Sequence, residues 1–85
     1  MENKKILLTG VTGLLGSWLA EKLLNNNCEI KGVALNGELD FLLKSKKIYN
    51  DIEINYFDIA NEEKIKQIFQ DEYDLVIHLA AQTQV

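Results

Sequence analysis

The sequence predicts an α/β domain, a doubly wound parallel sheet of about four strands with flanking helices, and three observations carry that expectation. Short apolar runs alternate with stretches of helical periodicity along the whole chain. The last run, Leu75–Leu79, is almost continuously apolar, the pattern of a strand covered on both faces. Three glycines, Gly10, Gly13 and Gly16, punctuate the passage from the first apolar run into the first helical segment. The resulting order, β-α-β-(α)-β-α-β, implies right-handed crossovers between parallel strands. No proline, repeat or low-complexity tract marks a boundary, so the 85 residues read as part of one domain.

Each element has its own signal. Lys4–Thr9 is a short apolar run ending at a glycine, a buried strand. Leu14–Leu24 places Leu15, Leu19 and Leu23 on one helical stripe, which Leu14 and Trp18 widen, so Trp18 is expected in the core. The helix closes at Asn25-Asn26-Asn27, where asparagine tolerates a left-handed turn. Glu29–Leu35 is the second strand, with Ile30, Val33 and Leu35 as its apolar members. The stretch 37–47 is a short helix or a packed loop around Leu39, Leu42 and Leu43. Ile52–Phe57 alternates Ile52, Ile54 and Tyr56 with polar partners, a third strand. Asn61 caps a second clear helix, Glu62 and Glu63 favour its positive end, and Ile65, Ile68 and Phe69 form its apolar face. The first strand should lie centrally, with the second and third on one side and Leu75–Leu79 on the other.

Composition removes several classes of function. Hydrophobic residues at 47% and charged residues at 26% suit a globular chain and not a disordered one. The nine basic residues are all lysines, the net charge is −4, and no basic cluster of the kind that binds nucleic acid is visible. The apolar run after Met1-Glu2-Asn3-Lys4-Lys5 is too short for a signal peptide or a membrane span. A lone Cys28 forms no internal disulfide and fits a reducing compartment. The expectation is a cytoplasmic protein with neither nucleic-acid nor membrane partners.

The chemistry resides in Thr9-Gly10-Val11-Thr12-Gly13-Leu14-Leu15-Gly16. Gly10 suits a tight turn out of the strand, Gly13 the approach of a pyrophosphate, and Gly16 close packing of the helix. The positive end of the helix can then hold an anion without a basic side chain. A mononucleotide phosphate loop would end in Gly-Lys-Ser/Thr, whereas Ser17-Trp18 follow here. Asp58-Ile59 follow the third strand, and His78-Leu79-Ala80-Ala81-Gln82 close the fourth.

With these residues in place, the chain resembles the extended short-chain dehydrogenase/reductase family, the NAD-dependent nucleotide-sugar epimerases and dehydratases, and covers only the opening portion of such an enzyme. The stretches Gly16-Ser17-Trp18-Leu19, Gly32-Val33-Ala34-Leu35-Asn36 and Ala80-Ala81-Gln82 are most similar to sugar-nucleotide 4,6-dehydratases, particularly of the CDP-glucose type. The resemblance implies a Rossmann-like domain with cofactor contacts at Gly10, Thr12, Gly13, Leu14, Leu15 and Gly16. It also implies contacts at Asp58 and Ile59, beside the adenine, and at Leu79, Ala80 and Ala81, beneath the ribose. A nucleotide-sugar substrate and a homodimer are implied for the full-length enzyme. The family's tyrosine–lysine pair, Tyr-x-x-x-Lys, is absent: four positions beyond Tyr49, Tyr56 and Tyr73 stand Glu53, Ala60 and Ile77. No catalytic residue and no metal site are expected in these residues, so catalysis and substrate binding are expected of a part of the enzyme outside them. Alternatives are a 4-epimerase or reductase of the same family, and a non-catalytic NAD-sensing module.

Cofactor choice depends on the end of the second strand, where a carboxylate favours NAD and an arginine NADP. Asn36 occupies that position, with Glu38 and Asp40 beyond, and the chain has no arginine; NAD is therefore expected over NADP. Other residues have plainer readings. His78 lies in an apolar strand with no acid partner in view and is expected to be a packed structural histidine. Asp58 could also serve as a turn cap, Cys28 as a small semi-buried residue, and Lys44, Lys46 and Lys47 as a solvated face.

Overall fold

A computed structural model describes residues 2–36 and 40–79. Four strands form one parallel sheet: β1 (Lys5–Thr9), β2 (Glu29–Ala34), β3 (Glu53–Tyr56) and β4 (Leu75–His78). Among the described residues, helices α1 (Leu14–Asn25), α2 (Phe41–Ser45) and α3 (Glu62–Ile68) cross between them, with a 3-10 turn at Tyr49–Asp51. The strand order is β3-β2-β1-β4, so the expected central position of the first strand is met and the fold is Rossmann-like. Register pairs Leu8 with Gly32 and Ile77, and Gly32 with Ile54.

Strand alternation divides the core into two layers. Ile6, Leu8, Ile30 and Ala34 face α1 and α2, where they pack with Ala20, Leu23, Leu43, Ile48 and Ile52. Leu7 and Val33 face the other way, onto Ile68 of α3, with Phe57, Ile59 and Tyr73 at the margin. Along that second face run Lys5, Lys31 and Asp71, with Asp71 Oδ2 2.5 Å from Lys5 Nζ and 3.2 Å from Lys31 Nζ. Lys31 also meets Glu53 at 3.3 Å.

The helix ends follow their signals. Asn26 caps α1 through its backbone, and Asn27 takes φ 62°, the left-handed conformation expected of the asparagine run. Asn61 accepts a hydrogen bond from the Lys64 amide at 3.1 Å, capping α3. Of the stretch 37–47, the described part forms α2, with Leu43 fully buried; residues 37–39, Glu38 and Leu39 among them, lie outside the described residues.

Several apolar assignments differ from the sequence reading. The buried face of α1 is Gly16, Ser17, Ala20 and Leu23, while Leu14, Leu15 and Trp18 are 77%, 58% and 49% exposed. The reason is steric: Gly16 lies directly against the Gly10 carbonyl, which turns the small side chains toward the sheet and swings the large ones outward. Trp18 is therefore a surface residue, with Lys22 Nζ 5.7 Å above its ring. Leu35 lies one residue past β2 and is exposed, as is Phe69, which stands at the C-cap of α3 beyond the buried Ile68. No helix among the described residues is long and apolar enough to cross a membrane.

Candidate functional site

The strand order reverses at β1: β2 and β3 continue to one side, and β4 pairs on the other. In open α/β sheets the crevice at the carboxyl ends of the strands beside such a reversal is where ligands bind. The carboxyl end of β1 runs into the glycine loop, and that of β4 into Leu79.

Gly10 adopts φ 74°, which only glycine takes without strain, and its amide donates to the Val33 carbonyl at 2.9 Å. The chain then folds back on itself, with the Gly13 amide donating to the Gly10 carbonyl at 3.1 Å. Val11 and Thr12 are buried beneath the turn. Gly13 is the N-cap of α1, in extended conformation at φ −72° and ψ 171°, and no side chain caps the helix. No acidic residue stands in the first turn. The opening amides of a helix have no partners within the helix, so this end presents N–H groups and a partial positive charge. A Cβ on Gly13 would meet one atom outside its chain neighbours, the Gly10 oxygen, at an ordinary 3.4 Å. The space before Gly13 is open to an approaching group.

Gly16 has a different task. A Cβ there would lie 2.0 Å from the Gly10 oxygen, 2.9 Å from its carbonyl carbon and 3.0 Å from Val11 Cα. The close approach of the helix is thus to the loop itself. Gly32, which the sequence reading left without a role, completes the arrangement: its Cβ would stand 2.7 Å from Val11 Cγ1. A glycine inside a strand marks such close approaches, and that signal was available.

Around this loop the sheet gathers the other residues singled out above. Asn36 lies two residues past β2 and is exposed. Asp58 and the half-buried Ile59 follow β3; the exposed Asp58 carboxylate accepts from the Ala60 amide at 2.9 Å, so it also caps its own turn. Leu79 follows β4, and its amide donates to the Thr9 carbonyl and to Thr9 Oγ1, both at 3.1 Å. Ala80 and Ala81 lie outside the described residues. Four strand ends therefore bring Gly10, Thr12, Gly13, Leu14, Leu15, Gly16, Asn36, Asp58, Ile59 and Leu79 to one edge of the sheet.

His78 departs from its sequence reading. It is exposed rather than packed, because its side chain is on the face opposite Leu75 and Ile77, and its Nδ1 lies 2.7 Å from Thr9 Oγ1. Unforeseen as well is a link beside the same edge: the Tyr56 hydroxyl donates to Asp40 Oδ2 at 2.6 Å and lies 3.3 Å from the Tyr49 hydroxyl. Desolvation of its hydroxyl, then the adjoining Asp40 and Tyr49, push the Tyr56 phenol above the usual tyrosine range, although the residue as a whole is 42% exposed. A separate concavity of about 200 Å3, lined by residues that include Lys31, Asn55, Lys64 and Gln67, contains no residue of the glycine loop.

Known proteins resemble this chain in sequence and in fold. Residues 7–85 match the family described as GDP-mannose 4,6 dehydratase. The chain is 32% identical over 92 residues to a GDP-mannose 4,6-dehydratase of Vibrio cholerae serotype O1, covering 98% of the chain and 25% of that protein. It is 31% identical over 83 residues to a CDP-glucose 4,6-dehydratase of Salmonella typhimurium, covering 95% and 23%. Among solved structures, an epimerase from Methanothermobacter thermautotrophicus superposes with a TM-score of 0.80 at 29% identity, over 95% of this chain and 24% of that one. A protein described as a D-mannonate oxidoreductase from Haemophilus influenza, solved with bound NAD, gives 0.62 at 30% identity, over 80% and 25%. The chain spans about a quarter of the length of the relatives it matches.

Proposed function

Because the chain belongs to the GDP-mannose 4,6-dehydratase family, we propose that it is the NAD-binding N-terminal part of a nucleotide-sugar 4,6-dehydratase. The observation that carries this reading is the uncapped start of α1, set by Gly16 against the Gly10 turn with open space before Gly13. A pyrophosphate fits there: the site offers amides and a helix dipole and holds no carboxylate in the first turn. In this reading Gly10, Thr12, Gly13, Leu14, Leu15 and Gly16 hold the pyrophosphate end. Asn36, Asp58 and Ile59 hold the adenosine, and Leu79, Ala80 and Ala81 underlie the ribose.

Asn36 can hydrogen-bond a ribose hydroxyl, and the absence of arginine supports NAD over NADP. A nicotinamide cofactor bound here supplies hydride acceptance and return, as a 4,6-dehydratase requires for oxidation at sugar C4, loss of water across C5 and C6, and reduction at C6. The residues described here bind and orient. Proton transfer and substrate recognition belong to the remainder of the enzyme, which the proposal makes a cytoplasmic homodimer acting on a nucleotide-sugar. The likeness to the Methanothermobacter epimerase favours a 4-epimerase as the second reading, with the same cofactor site.

Replacement of Gly13 by valine tests the proposal. Its Cβ finds room in the fold yet occupies the approach to the helix start. NAD affinity by calorimetric titration should fall at least about tenfold while the far-UV spectrum is retained, and unchanged affinity would remove the dinucleotide reading.

A further inference from the structure

Asp40 departs from the local rule for its position. It is the N-cap of α2, where an aspartate carboxylate normally accepts from the helix's own first amides. Here it makes no such bond. Its side chain is buried, 6% exposed, with Oδ2 receiving the Tyr56 hydroxyl at 2.6 Å and Oδ1 buried without a partner among the described residues. A carboxylate withdrawn from water and from its own helix, held by one phenol, is a costly arrangement that local stability does not explain.

Its placement supplies a reason. Tyr56 is the last residue of β3, two before Asp58, and Asp40 stands at the start of α2. The Phe57 amide already joins the two strand ends, donating to the Ala34 carbonyl at 2.9 Å. Beyond that point the Tyr56–Asp40 hydrogen bond fastens the start of α2 to the end of β3. The Tyr49 hydroxyl braces it from the 3-10 turn.

We propose that Tyr56 and Asp40 form a clasp that holds the start of α2 against the end of β3, positions the turn carrying Asp58, and thereby preorganises the edge that receives the adenosine end of the cofactor. Both are positioning residues. Neither is assigned a contact with the ligand, and the proposal rests on the NAD-binding reading above.

A double-mutant cycle with Tyr56→Phe and Asp40→Ala tests it, using NAD titration and amide hydrogen exchange on the 85-residue chain. Each single change should weaken NAD binding about three- to tenfold, the double change no more than either alone, and exchange should quicken at 57–60. Asp40→Asn keeps an acceptor for the phenol and should restore affinity, a rescue that loss of packing would not give. Additive losses, or unchanged affinity in both single variants, overturn the proposal. A wild-type chain that does not bind NAD overturns the reading of the site itself. The clasp is then judged by exchange alone, and unchanged exchange in Tyr56→Phe overturns it.

Discussion

Replacing Gly16 by alanine adds a single methyl group, and the structure predicts that it damages the fold. The new Cβ would lie 2.0 Å from the Gly10 oxygen, about 1.4 Å inside the 3.4 Å at which ordinary contact begins. The obstacles are all backbone, with the Gly10 carbonyl carbon at 2.9 Å and Val11 Cα at 3.0 Å, so no side chain can rotate away. Relief requires the first turns of α1 to retreat by about an ångström, lifting Ser17, Ala20 and Leu23 from the sheet. Alanine gains ~1 kcal/mol over glycine in a helix interior, while overpacking of this kind costs ~1–3 kcal/mol and occasionally more. A backbone obstacle puts the cost at the upper end, for a net loss of ~1–2 kcal/mol. A chain of this size loses roughly 4–8 °C of melting temperature per kcal/mol. Urea and thermal unfolding followed by circular dichroism measure the effect, with Gly13→Ala as control because its Cβ meets only an ordinary contact. A Gly16→Ala chain as stable as wild type, or more so, would refute the packing argument.

Two further changes separate binding from stability and charge from packing. Asp58→Ala removes the bond to the Ala60 amide, an exposed interaction worth under ~1 kcal/mol, so the fold should hold while NAD affinity falls. Unfolding with no binding defect in the folded fraction would make Asp58 a turn cap alone. The Lys5 ammonium, then the Glu72 amide and Lys31, lower the Asp71 carboxyl from 3.8 to about 2. Such an acid stabilises the fold above its unfolded value and loses that contribution as pH falls through about 2. Asp71→Asn should therefore be less stable than wild type near neutrality, with the gap closing between about pH 4 and 2; urea midpoints at three pH values measure it, and a gap that persists to pH 2 contradicts the assignment.

The elements and their order were legible because their signals are local. The apolar runs gave β1 and β4, Asn61 announced α3, and the asparagine run closed α1 at Asn27 with φ 62°. The glycine loop was legible for the same reason, since its spacing lies within eight residues. Burial was not, because it depends on contacts across the chain. Trp18 and Leu15 follow helical periodicity, yet the approach of Gly16 to Gly10 turns them outward. His78 sits in an apolar run, but strand alternation places it on the face where Thr9 Oγ1 reaches it. The Asp40–Tyr56 bond joins residues 16 apart on two elements, and nothing in either local sequence signals it.

If the start of α1 binds the pyrophosphate of NAD as proposed, nuclear magnetic resonance will register it even at millimolar affinity. Titration of NAD into the isotope-labelled chain should shift the amides of Gly13, Leu14, Leu15 and Gly16 together with those of Asp58 and Ile59. NADP should shift the same amides at higher concentration, and Gly13→Val should abolish the response. Shifts that leave these amides untouched, or that appear only around Lys31, Asn55 and Lys64, would contradict it.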